Sequence, residues 1–186
     1  TGLALQANEA IAQPQGAGRG LTYVRSAWNI DPGHLKMYAY TRFFGKVSSI
    51  NVSQTNTNNV TFWDVQSGIS FNYGFNEHIE LAFSPILYQD NHVNGDGFNF
   101  IDDIFLTLKF GSYGKKGSSV KYGIDVSSRL PTAKFHNVVF EPYSANKVGF
   151  GANSRFSYAR DPLYPDDATS FHLNLGYWNH NDVGEK

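Results

Sequence analysis

From Leu35 onward, apolar and polar residues alternate with a period of two, the pattern of strands with one apolar and one polar side, and the alternation recurs in seven segments. The first sets Leu35, Met37, Ala39, Thr41 and Phe43 against Lys36, Tyr38, Tyr40, Arg42 and Phe44. In the second, Trp63, Val65, Ser67, Ile69, Phe71 and Tyr73 oppose Asp64, Gln66, Gly68, Ser70, Asn72 and Gly74. The third opposes Ile79, Leu81, Phe83 and Leu87 to Glu80, Ala82, Ser84 and Tyr88, with Pro85 removing a ladder donor and implying a bulge or an early strand end. The fourth sets Ile104, Leu106, Leu108 and Phe110 against Asp103, Phe105, Thr107 and Lys109. The fifth sets Val120, Tyr122, Ile124, Val126 and Leu130 against Lys121, Gly123, Asp125, Ser127 and Arg129. The sixth opposes Val148, Phe150, Ala152, Phe156 and Tyr158 to Lys147, Gly149, Gly151, Asn153 and Arg155. The seventh opposes Phe171, Leu173, Leu175 and Tyr177 to His172, Asn174, Gly176, Trp178 and His180. The alternation predicts one constant phase within each strand.

These segments run to about ten residues or more, near the length a tilted strand needs to cross a bilayer and longer than a typical soluble strand. Their connections also differ in kind. Residues 75–78 and 111–118 make short turns, whereas 47–59, 89–102 and 133–146 read as long polar loops, the asymmetry of periplasmic turns and outer loops in membrane barrels. Residues 160–169 form a longer turn marked by Asp161-Pro162 and Tyr164-Pro165-Asp166-Asp167. On this topology the first strand rises from the periplasm. Residues 19–30 are then a periplasmic lead-in closed by the Asp31-Pro32-Gly33 turn, with an eighth strand there as the alternative. The expected fold is all-β, an antiparallel up-and-down transmembrane barrel with about seven or eight of its strands present.

Composition supports strands over helices: aromatic residues make up 16% and there are 18 glycines, suited to pleated surfaces joined by turns. No stretch approaches the roughly 18 apolar residues of a spanning helix, so a membrane crossing would require a closed barrel. A formal net charge of -1 points to no nucleic-acid partner, and the absence of cysteine excludes disulfides and thiolate metal sites. Residues 1–20 read as the remnant of a signal peptide, with Ala10-Ile11-Ala12 before Gln13 as its small-x-small end, or as a disordered tail. Residues 21–186 then constitute the partial barrel.

With segments such as Thr61-Phe62-Trp63-Asp64-Val65-Gln66 and Asp103-Ile104-Phe105-Leu106-Thr107-Leu108-Lys109, the chain resembles the N-terminal half of a Gram-negative outer-membrane β-barrel, porin-like or of the type preceding an OmpA-like domain. The resemblance covers residues 21–181 and rests on pattern, without a specific motif. It implies residence in the bacterial outer membrane, contact with its lipid, and a porin-like channel for passive passage of small solutes. A structural anchor barrel is the alternative. Family barrels have an even strand number and end on an aromatic residue; seven strands and the ending Gly184-Glu185-Lys186 imply that the rest of the barrel lies outside this chain.

A membrane setting assigns lipid contact to Trp63, Val65, Ile69, Phe71, Leu81, Phe83, Leu106, Leu108, Ile124, Val126, Phe150, Phe156, Leu173 and Leu175. The lumen-lining candidates are Lys36, Arg42, Asp64, Gln66, Glu80, Asp103, Lys109, Lys121, Asp125, Arg129, Lys147 and Arg155. Mixed signs among the latter allow either an ion-pair network bracing the wall or a wet pore with charge-tuned selectivity. The rival reading is a soluble β-sandwich or lipocalin-like binding module, in which the apolar face would fill a core. The confinement of charge to one face weighs against it, because Arg or Lys facing lipid at the midplane costs about 2 to 4 kcal/mol.

No catalysis and no cofactor is expected. The six histidines include His172 and His180 on one face, too far apart to share a metal, and neither has a Ser or Asp at a telling spacing. Asp102-Asp103 and Asp166-Asp167 lack the ligand spacing of a calcium loop. One connection stands out: Phe135, Val138, Val139, Phe140, Pro142 and Tyr143 make residues 133–146 unusually apolar, which predicts folding over or into the barrel mouth.

Overall fold

A computed structural model describes residues 24–53, 56–91, 97–136, 146–179 and 181, with no helix among them. The strands are β1 (Leu35–Ser53), β2 (Asn56–Gly74), β3 (Ile79–Asn91), β4 (Gly97–Asn99), β5 (Ile104–Tyr113), β6 (Val120–Leu130), β7 (Gly149–Ala159) and β8 (Ser170–Asn179). They form one antiparallel sheet in the order β1-β2-β3-β5-β6-β7-β8, with β4 paired to the end of β3. Every neighbour along this path is the next long strand in sequence, so the sheet is an up-and-down meander curled into a half-barrel. All the strands among the described residues belong to this one sheet, with no second sheet packed against it.

The pleat sets the two faces. Along β6 the side chains of Lys121, Asp125, Ser127 and Arg129 are buried while those of Tyr122, Ile124 and Val126 are exposed. In β7, Arg155 and Ser157 are buried and Phe150, Phe156 and Tyr158 exposed, and in β2 Gln66, Ser70 and Asn72 are buried. Polar residues therefore cover the inside of the curve and apolar ones the outside. A lipocalin-like module requires the opposite, an apolar inside and a wetted outside.

Three expectations need correction. The residues predicted as the loop 47–59 mostly continue β1 and β2 as a long hairpin, with Val47 opposite Thr61 and Ile50 opposite Asn58. Their Val, Ile and Thr residues support pairing despite the polar composition. Part of the predicted loop 89–102 is likewise paired: Gln89 lies opposite Asn99 and Asn91 opposite Gly97.

The third correction concerns phase in β3. Gly68 pairs with Ile86 and Ser67 with Tyr88, so Leu87 is an extra residue, a bulge just beyond Pro85. One inserted residue reverses inside and outside. Tyr88 therefore does not share the polar face with Glu80, Ala82 and Ser84. It stacks on Phe98, an exposed side chain, with ring centroids 5.8 Å apart, while Gln89 turns inward.

Candidate functional site on the concave face

The inner face is built from cross-strand polar pairs. The register sets Gln66 opposite Gln89, and the Gln66 amide donates to the Gln89 carbonyl oxygen at 3.0 Å. Ser70 and Ser84 hydroxyls meet at 2.6 Å, and Thr107 and Ser127 at 2.8 Å. Three charge clusters lie among these. Lys109 and Glu80 are directly opposed on β5 and β3, with Nζ and Oε2 3.7 Å apart and both side chains fully buried. Arg129 on β6 donates from Nε to Asp103 at 2.5 Å. Asp125 accepts from Arg155 Nε, from Asn153 Nδ2 at 3.1 Å and from Arg25 at 3.3 Å.

Glu80, Asp103 and Asp125 thus each meet a cation, the condition under which charge survives away from water, while the buried Asp102 accepts from the Asn99 amide at 3.0 Å. Burial, then the neighbouring Arg155, lowers the pKa of Arg25 to about 10, while Asp125 pulls it up. Its guanidinium keeps its charge at neutral pH.

A segment of irregular backbone, residues 24–34, fills this face. Of the expected lead-in 19–30, residues 19–23 lie outside the described ones; residues 24–30 form no strand of the sheet, and the segment runs across the inner side of the strands near the short-turn end. Arg25 N–H donates to Asn174 Oδ1 on β8 at 2.7 Å, and Ala27 N–H to Ser157 Oγ on β7 at 2.8 Å. Lys109 Nζ on β5 donates to the Trp28 carbonyl at 2.5 Å. Ile30 N–H donates to Glu80 Oε2 on β3 at 2.9 Å, and Gly33 N–H to the Gly74 carbonyl on β2 at 2.7 Å. One strap therefore touches strands from β8 to β2, its peptide groups satisfied by side chains of the wall. Ala27, Trp28 and Ile30 are buried with it and form much of the apolar core.

Toward the other end an aromatic layer occupies the curve. Trp178 of β8 leans over Gly151 of β7, where a Cβ would collide with the indole, and reaches Phe105 of β5 at 6.0 Å between ring centroids. Arg129 stands over the Phe105 ring at 5.2 Å. Replacing Gly151 with valine is expected to cost about 1 to 3 kcal/mol, the range for overpacking, and to move tryptophan emission to the red as Trp178 leaves its place. Denaturant titration with fluorescence detection measures both.

Among the lumen-lining candidates, Gln66, Glu80, Asp103, Lys109, Lys121, Asp125, Arg129 and Arg155 are buried on the inner face. Lys36 and Arg42 on β1 are half-buried, and Lys147 lies just before β7 and not within it. The side chains of Asp64 and Trp63 lie outside the described ones. Lys36 approaches Asp166 of the β7–β8 turn at 3.9 Å, bringing the two margins of the sheet into contact at that end. Exposed as this pair is, it reports shape and adds little stability.

On the outer face, Leu81, Phe83, Leu106, Ile124, Val126, Phe150, Phe156, Leu173 and Leu175 are exposed. Val65, Ile69, Phe71 and Leu108 are partly covered by their outer-face neighbours.

The structure also joins two residues whose spacing gave no signal. His172 Nδ1 and Ser157 Oγ are 2.7 Å apart, because β7 and β8 pair Ser157 with His172. That hydroxyl is fully buried and already accepts the Ala27 N–H, so a substrate could not reach it without removal of the strap.

Of the apolar connection 133–146, only Phe135 among its named large side chains is described; it is exposed, and its backbone is pinned to Asn99 through both N–H and carbonyl. Val138, Val139, Phe140, Pro142 and Tyr143 lie outside the described residues. No group of acidic or histidine side chains suited to a metal occurs among those described. Comparison with protein-family models, with curated proteins and with solved structures finds no match for this chain.

Proposed function

We propose that this chain is part of the wall of a bacterial outer-membrane β-barrel, porin-like in providing a passive route for small solutes. The observation that carries the reading is the reversal of inside and outside: charged side chains are buried on the concave face and large apolar side chains are exposed on the convex one. Water disfavours an outer face of this kind, while hydrocarbon accepts it.

The length of the later strands agrees: β5, β6, β7 and β8 have 10, 11, 11 and 10 residues, within the span of about 9 to 11 that a tilted strand needs to cross a bilayer, while β1 and β2, with 19 each, and β3, with 13, run beyond it. Exposed tyrosines include Tyr73, Tyr113, Tyr122 and Tyr158 near the short turns, where amphipathic rings favour the headgroup level, while the exposed phenylalanines Phe43, Phe83, Phe150 and Phe156 lie along the strands.

A second reading, a structural anchor barrel, is favoured by the paired charges of the inner face, which brace the wall and need not select solutes. The full-length protein separates the two. It is expected in the outer-membrane fraction of a Gram-negative host, with heat-modifiable migration in detergent gels, and liposomes containing it are expected to swell in small sugars. Intact barrels without swelling would leave the anchor, and a protein soluble without detergent would end both readings.

A further inference from the structure

We infer that residues 24–34 are a seated plug, an internal segment that closes the passage at the short-turn end and must leave its seat for solutes to pass. The inference rests on the channel reading above and adds to it the part that governs flow. Three observations carry it.

The first is position. The strap crosses the inner face from Asn174 on β8 to Gly74 on β2, so it bars the curve where the wall is otherwise polar. The second is a seat shaped for it. At Gly74 a Cβ would lie 2.6 Å from the Ile30 carbonyl oxygen, and at Gly111 it would lie 2.6 Å from the Ala27 carbonyl and collide with the Asn29 amide. Side chains at either place would keep the strap off the wall, and strands ordinarily have no need of glycine there.

The third is the character of the bonds. Beside the burial of Ala27, Trp28 and Ile30, strap and wall are joined by hydrogen bonds and the Arg25–Asp125 ion pair, which water can replace once the segment lifts. The seat is also imperfect: the buried side-chain amide of Asn29 and the Oε1 of Glu80 find no hydrogen-bond partner among the described residues. Such groups regain partners in water, which lowers the cost of release. A segment fixed purely to brace the wall has no reason to carry them.

Single-channel recording on the full-length protein in planar bilayers tests the plug, with Ala27→Cys as the reporter of its place. This chain has no cysteine of its own, and Ala27 is fully buried, so a water-soluble maleimide is expected not to label the reporter in the parent protein. Adding Gly111→Val is expected to expose the reporter to label and raise conductance at least two-fold. Arg25→Ala with Asn29→Ala changes the strap alone, leaves every strand residue in place, and is expected to act in the same direction should the glycine variant misfold. Labelled reporter with unchanged conductance, in a protein whose parent conducts, would overturn the plug and leave the channel standing. Inserted, labelled barrels that never conduct would overturn the channel reading and the plug together.

Discussion

Replacing Asp125 with alanine is expected to destabilise the folded wall by about 3 to 5 kcal/mol, the range for removing one member of a buried ion cluster. The reason lies in what that carboxylate joins. Arg155 and Arg25 come from β7 and from the strap, and both guanidinium groups turn to it; its side chain is fully buried and so is that of Arg155. Asn153 and Ser127 donate to it as well, at 3.1 and 3.4 Å. Without the carboxylate, two like charges remain close together with little water to screen them.

Arg25→Ala should cost less, because its side chain keeps some contact with solvent and its removal leaves the Arg155 pair in place. Asp125→Leu combined with Arg25→Met and Arg155→Met should recover much of the loss, since it removes the charges along with their partner. Denaturant titrations of the barrel in detergent, followed by gel mobility, give the order of the three. An Asp125→Ala midpoint equal to that of the parent would mean that water reaches the cluster and that the inner face is wet at this depth.

Much of the wall was legible because β2, β6, β7 and β8 obey a strict two-residue period, and a covalent pleat leaves each side chain no choice of face. Lys109 and Glu80 could each be placed on the polar face on this ground, though their pairing could not be identified without the register. The bulge at Leu87 was half legible. Pro85 announced an irregularity, but only pairing with Gly68 and Ser67 shows which residue is extra.

The strap was not legible at all. Residues 24–34 follow no period, and their backbone partners are side chains more than 40 residues away, among them Glu80, Ser112, Ser157 and Asn174. Composition cannot distinguish such a segment from a solvated lead-in. Two signals did exist in Gly74 and Gly111, small residues near strand ends whose missing side chains make room for a crossing backbone. The Ser157–His172 contact was hidden for a related reason, since it depends on the length of the turn between β7 and β8 as well as on the strands themselves.

Arginine in place of Val126 is expected to cost about 2 to 4 kcal/mol, whereas arginine in place of Val120 should cost about 0 to 1, because lipid penalises charge by depth. Val126 lies mid-strand in β6, exposed on the outer face between Leu108 and Ala152. Val120 begins the same strand beside the short turn, on the same face and opposite Tyr158. Both substitutions make the same chemical change in the same strand, so propensity and charge largely cancel between them and depth remains. In water the two would be ordinary surface changes, each within about 0.5 kcal/mol of the parent. Folding titrations into lipid vesicles measure the pair directly. A steep difference places hydrocarbon against the middle of β6. Two small and equal values would place water there, and the exposed leucines and phenylalanines of the convex face would then need a protein partner to cover them.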